Sequence, residues 1–166
     1  MKKDLAIIFG LFLLIAVLLI FGKGFSTISY LEFQRSPQVE KDTIAVTAKT
    51  LPIEAKVVTS PGDRKKGLSG QNSLPLGQGM LFVFENKGLY GFWMKDMKFA
   101  IDIIWLDENK KIVDIAQMAS LEPGKKDKEL TIYKPSADAL YVLEINAGLS
   151  SLHNLQIGDK VGFELE

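Results

Sequence analysis

Three charged residues lie inside apolar segments of this sequence and are the first candidates for a functional site. Lys95 comes directly after Trp93 and Met94, Asp102 lies within the segment AIDII, and Glu144 lies within VLEIN. A charge inside an apolar strand is costly unless it is paired. If the side chains of Lys95, Asp102 and Glu144 converge, they form a charged cluster beside the ring of Trp93 that could bind a small polar ligand.

Other interpretations of these residues stay open. Asp102 and Glu144 could face solvent while Lys95 lays its stem over Trp93 at the surface, or a buried ion pair could fix the register of two strands. Asp102 and Glu144 could also act as general acid and base of an enzyme on a cell-envelope substrate. Arg64, at the start of a predicted short helix, is a further candidate for contact with an anion.

The common catalytic and metal-binding signatures are missing from the sequence. There is no Cys, and a single histidine, His153, excludes a metal site built from several imidazoles. The stretch GLSG at 67–70 stops one residue short of a nucleophile elbow, and neither a P-loop nor a dinucleotide fingerprint occurs. The 166-residue chain has no net charge, so it has no overall field that would attract a nucleic acid. We therefore expect no metal, cofactor or nucleic-acid partner, and a binding role rather than catalysis. A purely structural interaction domain is the third alternative.

From residue 43 onward the pattern indicates the elements that would position these side chains. Apolar and polar residues alternate in short segments separated by Gly, Pro, Asn and Asp, as is typical of β-strands. The predicted strands cover residues 44–48, 53–59, 80–84, 91–94, 101–106, 112–118, 139–145 and 160–165. Short helices are predicted from Ser60 to about residue 68 and over 147–154. The pattern favours a mainly β (α+β) domain, a compact antiparallel sheet or small barrel with two or three short helices.

The first 24 residues are of a different kind. Residues 5–21 form an apolar run interrupted only by Gly10, and at about 1.5 Å per residue this run can just cross a hydrocarbon core of roughly 30 Å. A cleaved signal peptide is the competing interpretation, but the run is long for one and no good cleavage site follows it. We predict an uncleaved transmembrane anchor over residues 1–24. Lys2 and Lys3 would keep the N-terminus cytoplasmic and place the C-terminal domain outside the cytoplasm.

The composition divides the chain accordingly. Residues 25–42, with Pro37, are predicted to be a linker, and residues 43–166 a single β-rich domain. Three lysines and one aspartate give residues 1–24 a charge of +2, which leaves −2 for the rest of the neutral chain. The positive mean hydropathy of +0.13 comes from the apolar run. The predicted partners are the membrane, through residues 5–21, and a small polar ligand, a glycan or an envelope protein.

An ordered set of motifs between residues 64 and 162 carries a family resemblance. The motifs are RKKGL at 64–68, LP at 74–75, GMLFVF at 79–84, GFWMKDM at 91–97, IDIIWLD at 101–107, YVLEINAG at 141–148 and IGD at 157–159. Together they resemble the prokaryotic family called domain of unknown function 192. The chain departs from the family pattern at Asp96 and Met97, where Asn and Thr are usual, and at Ala100 and Ile101, where Pro and Leu are usual. The resemblance implies a compact β-rich fold but no particular reaction.

Overall fold

The computed structural model describes residues 42–165. The predicted anchor over residues 1–24 and nearly all of the predicted linker therefore lie outside the described residues. Within the described range, no helix is both long enough and apolar enough to span a membrane.

One mixed sheet organises the described part of the chain. Its neighbouring strands are ordered β5-β4-β6-β3-β2-β1-β7. The strands are β1 Thr43–Ala48, β2 Leu51–Val58, β3 Gln78–Gly88, β4 Ile101–Leu106, β5 Ile112–Ala119, β6 Ala139–Asn146 and β7 Val161–Gly162. Each neighbouring pair is antiparallel except β2 and β3. The connection between those two parallel strands has to cross from one end of the sheet to the other, and it contains helix α1, Pro61–Lys66.

The two edges of this sheet meet at one end. The amide of Ile112, at the start of β5, donates a hydrogen bond of 2.9 Å to the carbonyl of Asp159. The amide of Val161 in β7 donates one of 2.8 Å to the carbonyl of Lys110. Because β5 and β7 are the opposite edges of the sheet, these bonds bend it into a partly closed barrel. The prediction of a mainly β, barrel-like domain with few short helices is confirmed.

Apolar side chains cover both faces of the sheet in two separate layers. The Val161 layer includes Val46, Leu81, Ile104, Leu143, Ile145 and Val161. The Trp105 layer includes Met80, Phe82, Met94, Ile103, Trp105 and Val142. Every residue of β4 is buried, because alternate side chains of this strand enter alternate layers. The central strands are therefore apolar on both sides, which leaves little room for an unpaired charge.

Two predicted strands differ from the structure. Residues 91–94 form no strand, and only Phe92 makes a bridge, to Tyr133. Phe92 and Tyr133 exchange two backbone hydrogen bonds, of 2.9 and 2.8 Å, so this segment pairs with a loop at one residue only and does not extend the sheet. The strand predicted over 160–165 shrinks to β7, because only Thr47 and Ala48 of β1 pair with it. The helices are also shorter than predicted: α1 ends before Gly67, and α2 spans only Leu149–Leu152.

Candidate functional site

Asp102 and Glu144 lie on the neighbouring strands β4 and β6, but their side chains point to opposite faces of the sheet. In the antiparallel register, Asp102 pairs with Ile145 and Glu144 pairs with Ile103. Directly paired residues share a face. Ile145 belongs to the Val161 layer and Ile103 to the Trp105 layer. The structure therefore does not bring the two acids into one site, and it separates the pair that the sequence offered as general acid and base.

Asp102 is fully buried and is bonded entirely to the protein itself. Its Oδ1 accepts hydrogen bonds from the amides of Met118, at 2.8 Å, and Gly148, at 3.0 Å. Its Oδ2 accepts from the amide of Ser150, at 2.9 Å, and from the hydroxyl of the same residue, at 2.6 Å. N–H and O–H donors thus stabilise this carboxylate in place of the expected cation. Asp102 ties β4 to β5 and to the start of α2.

Lys95 lies at the surface and pairs with an acid that the sequence did not single out. Its Nζ lies 2.6 Å from Oδ2 of Asp127, which begins the 3-10 helix Asp127–Glu129. The hydrogen bond to Asp127 raises the pKa of the Lys95 ammonium. The predicted alternation holds around Lys95 even without a strand, because Met94 is buried in the Trp105 layer and Trp93 is 43% exposed. Lys95 thus meets neither Asp102 nor Glu144 in its described contacts.

Glu144 lines a cavity of about 200 Å³ on the Trp105 side of the sheet, here called the Glu144 cavity. Most of its wall is aromatic or apolar, and the remainder is largely helix α1 and the residues that follow it. The lining residues are Arg64, Lys65, Lys66, Gly67, Leu68, Ser69, Phe82, Phe84, Tyr90, Gly91, Phe92, Trp93, Met97 and Glu144. Three of the five predicted site residues therefore share one concave surface: Arg64, Trp93 and Glu144.

The carboxyl group of Glu144 is the unusual group in this cavity. Glu144 is only 6% exposed, and its Oε2 has no hydrogen-bond partner among the described residues. Burial raises the pKa of Glu144 from its ordinary value of 4.5 to about 8, because a charge is poorly solvated there. At neutral pH the group is therefore mostly a neutral acid. Such an acid can donate one hydrogen bond and accept others from a bound molecule.

The aromatic walls are built from two ring pairs. Phe82 and Phe92 pack edge to face with their centroids 5.0 Å apart. Phe84 and Tyr90 stack at 3.5 Å with an angle of 11° between the rings. Phe82 is buried, whereas Phe84 and Tyr90 are only partly buried. The walls therefore run from the buried sheet toward solvent and are built of aromatic rings that also pack against one another.

Arg64 is held in place on the solvent side of these walls. Its guanidinium lies 4.9 Å from the centroid of Phe84, a cation–π distance. Its Nη1 donates to the carbonyl of Val83 at 3.1 Å and to the carbonyl of Thr59. These contacts use one terminal nitrogen. The fixed guanidinium can therefore offer its other N–H groups to an anion.

Local backbone features bring helix α1 and strand β6 to the cavity. Ser60 caps α1 by accepting a hydrogen bond from the amide of Asp63 at 3.1 Å. Gly67 ends the helix at a φ of +48°, a conformation that glycine adopts readily, and it lies against the ring of Phe82. Gly79 in β3 also allows close packing, because a Cβ there would lie 2.8 Å from the carbonyl oxygen of Glu144.

The remaining predicted residues lie outside this cavity. Lys95 lines an adjoining cleft of about 500 Å³, which shares Lys65, Lys66, Ser69 and Trp93 with the Glu144 cavity. Asp102 is enclosed by its own hydrogen bonds. Neither Tyr90, as a wall residue, nor Asp127, as the partner of Lys95, was among the predicted site residues. Tyr90 lies between Gly88 and Gly91 in a segment without a period, and Asp127 is 32 residues away from Lys95, so no local pattern pointed to either residue.

Comparison with known proteins places the chain in a family. The family model of domain of unknown function 192, described as "Uncharacterized ACR", matches residues 43–163. A UPF0127 protein of Pyrococcus abyssi is 31% identical over 119 residues, which cover 69% of this chain and 91% of that protein. A UPF0127 protein of Pyrococcus horikoshii is 34% identical over 76 residues, which cover 46% of this chain and 56% of that protein.

A solved structure has a similar fold. A protein of unknown function from Novosphingobium aromaticivorans is similar in fold, with a TM-score of 0.63 and 25% sequence identity. The similarity covers 72% of this chain and 83% of that protein. No catalytic or binding activity is established for the family to which these matches point. On the strength of the family model and the Pyrococcus relatives, the chain belongs to the family of domain of unknown function 192, also called UPF0127.

Proposed function

We propose that this protein is a non-catalytic binding domain, tethered to a membrane, that takes up a small polar ligand in the Glu144 cavity. The observation that carries the proposal is the buried Oε2 of Glu144, which has no partner among the described residues, in a residue that lines a cavity. A buried polar atom without a partner is costly. A ligand that bonded to it would remove this cost, so the site favours an occupied state.

The ligand is small, because a cavity of about 200 Å³ is below the roughly 300–1,000 Å³ typical of sites for drug-sized molecules. A glycan and a protein side chain are the other ligands that an aromatic wall could bind. Either would contact Trp93, which is 43% exposed. We favour a free small molecule, because Glu144 itself is nearly inaccessible from the surface.

A ligand screen on the full-length chain in detergent tests the binding role. Compounds that raise the melting temperature of the protein are then tested on Trp93→Ala and Glu144→Gln. The expected result is loss of the shift in both variants but not in Ile157→Ala, an exposed residue outside the cavity. Ligand-induced change of tryptophan emission in the unmutated protein is an independent readout. Shifts in the two cavity variants as large as in the unmutated protein, or only oligosaccharides or proteins as binders, would contradict the proposal.

The membrane tether and its direction are a separate part of the proposal. They are supported by the apolar run at residues 5–21 and by Lys2 and Lys3 before it. Protease added to intact cells is expected to degrade the C-terminal domain, and lysines placed within residues 5–21 are expected to release the protein from the membrane fraction. Protection of the domain in intact cells would overturn the extracytoplasmic placement.

A further inference from the structure

The Glu144 cavity has two chemically different ends, and together they define a class of ligand. Glu144 lies in the middle of β6, where Met80 of β3 and Ile103 of β4 flank it in register. Neither neighbouring side chain can donate a hydrogen bond. The buried end of the cavity therefore offers an acid whose Oε2 has no partner among the described residues, and a positively charged group suits this acid best.

The walls favour a cation as well. The faces of aromatic rings attract ammonium groups, particularly alkylated ones that shed water easily. Five aromatic side chains line the cavity: Phe82, Phe84, Tyr90, Phe92 and Trp93. A cavity that combines these rings with the acid of Glu144 is suited to an alkylammonium group.

The solvent side has the opposite preference. Arg64, Lys65 and Lys66 of helix α1 line the cavity, and both lysines are exposed. A ligand that carried only a positive charge would be repelled by these three side chains. A ligand that carried only a negative charge would meet Arg64 favourably but would leave the carboxyl of Glu144 without a counterion. A molecule with both charges satisfies both ends.

The protonation of Glu144 agrees with a preference for a cation at the buried end of the cavity and for an anion on its solvent side. Burial raises its pKa to about 8, so at neutral pH the group is mostly a neutral acid that a bound cation would help to ionise. The charged or titratable side chains that line the cavity with Glu144 are Arg64, Lys65, Lys66 and Tyr90. Strands β3 and β4 place the uncharged Met80 and Ile103 beside it.

We infer that the ligand of the Glu144 cavity is a small zwitterion, bound with its ammonium group at the carboxyl of Glu144 and its anionic group at Arg64. The inference rests on the proposed binding function and narrows it to one class of compound. On binding, the neutral acid of Glu144 becomes a carboxylate that pairs with the ammonium group, and its proton passes to the solvent. Uptake of the ligand at neutral pH is therefore accompanied by release of up to one proton.

Isothermal titration calorimetry on the full-length chain in detergent tests this class directly. Glycine betaine supplies both charges, choline only the cation, and 3,3-dimethylbutyrate carries the anion with a neutral carbon in place of the quaternary nitrogen. γ-Aminobutyrate is included as a zwitterion with a primary ammonium group. We expect at least one zwitterion to bind about tenfold more tightly than choline and dimethylbutyrate. Binding enthalpies in buffers with different enthalpies of ionisation are expected to reveal the released proton.

Two variants test the two ends of the cavity separately. Glu144→Gln is expected to abolish proton release and weaken zwitterion binding about tenfold, with its melting temperature as the check that it folds. Arg64→Gln is expected to remove the preference of the cavity for the tighter-binding zwitterion over choline but to keep the proton release. Binding of choline or dimethylbutyrate as tight as that of the better zwitterion, or zwitterion binding without proton release, would overturn the inference.

The calorimetry and the ligand screen together show whether the ligand class alone is wrong or the binding role as well. If no zwitterion binds at millimolar concentrations while neutral polar compounds from the screen still bind through Trp93 and Glu144, the ligand class is wrong and the binding function stands. If no compound in either experiment depends on these two residues, both proposals fail.

Discussion

Oδ2 of Asp102 lies 2.6 Å from the hydroxyl oxygen of Ser150, a residue 48 positions later in the chain. The amide of Ser150 donates to the same oxygen at 2.9 Å. Both residues are fully buried. A buried carboxylate is stable only when donors surround it, so this contact fixes strand β4 to the start of helix α2. The acid within AIDII is thus best explained by the fold rather than by a ligand.

Replacing Asp102 with Ala is therefore expected to destabilise the domain strongly. The change leaves three amides and one hydroxyl in the interior without their acceptor, and a cost of about 3–5 kcal/mol is expected for breaking such a buried charged network. Ser150→Ala removes only the hydroxyl bond and should cost about 1–2 kcal/mol. Urea unfolding followed by tryptophan fluorescence measures both variants. Similar free energies of unfolding for the two variants would contradict this role for Asp102.

The buried acid Glu144 makes stability depend on pH in a defined range. Below pH 4.5 the group is mostly protonated in both the folded and the unfolded state, and it contributes little pH dependence. Between pH 4.5 and about 8 the unfolded chain loses this proton while the folded chain keeps it, because burial raises the folded-state pKa. The folded state then binds more protons, so stability falls as pH rises through this range and levels off above it.

Glu144→Gln should remove this fall. Relative to the unmutated protein, the variant is expected to gain on the order of 3 kcal/mol between pH 4.5 and pH 7. Unfolding free energies measured at several pH values give the difference, in which the other titrating groups cancel. Glu85→Gln, on the exposed part of β3, controls for the loss of a carboxylate. A difference that does not change with pH would show that Glu144 ionises normally in the folded protein.

Gly79 is expected to tolerate no side chain. A Cβ at this position would lie 2.8 Å from the carbonyl oxygen of Glu144 and 2.9 Å from Cγ2 of Ile53. Because one of these atoms belongs to the backbone of the paired strand, Gly79→Ala should cost about 2 kcal/mol or more. A Cβ added at Gly62 in helix α1 would meet no atom within 4 Å, so Gly62→Ala should leave stability unchanged or raise it slightly. Thermal unfolding of the two variants tests the contrast.

The two tryptophans of the chain should report separately on the cavity and on the core. Trp93 is 43% exposed, whereas Trp105 is 1% exposed and donates from Nε1 to the carbonyl of Tyr90 at 2.9 Å. Acrylamide is expected to quench the emission that remains in Trp105→Phe and hardly to affect that of Trp93→Phe. The lost hydrogen bond should also make Trp105→Phe about 1 kcal/mol less stable. Equal quenching in both variants would contradict the assigned exposures.

The sequence predicts much of the sheet because its strands carry local patterns. The segment IDIIWL predicts β4 with its correct first and last residues. The alternation of residues 92–95 correctly predicts that Met94 is buried and that Trp93 and Lys95 lie on the other side, even though no strand forms there. Ser60 and the following proline mark the start of α1. These features depend on neighbouring residues alone, and local preferences decide them.

The relative orientation of the candidate acids could not be predicted in the same way. Strands β4 and β6 are apolar on both faces, so neither carries the period of two that would assign Asp102 or Glu144 to a side. The parallel contact of β2 and β3 and the pairing of Lys95 with Asp127 depend on long-range packing. The sequence therefore identified Arg64, Trp93 and Glu144 as residues of interest, but only the structure shows that they line one cavity.

The contact between the two edges of the sheet bears on whether neighbouring copies of the domain aggregate. Exposed strand edges can recruit strands from other molecules and begin polymerisation. The bonds that join Ile112 to Asp159 and Val161 to Lys110 occupy edge groups of β5 and β7 within one molecule. If residues 5–21 hold many copies on the same membrane, these domains meet at high local concentration. Each edge would then be partly paired within its own molecule, and this pairing would oppose edge-to-edge aggregation of neighbouring domains.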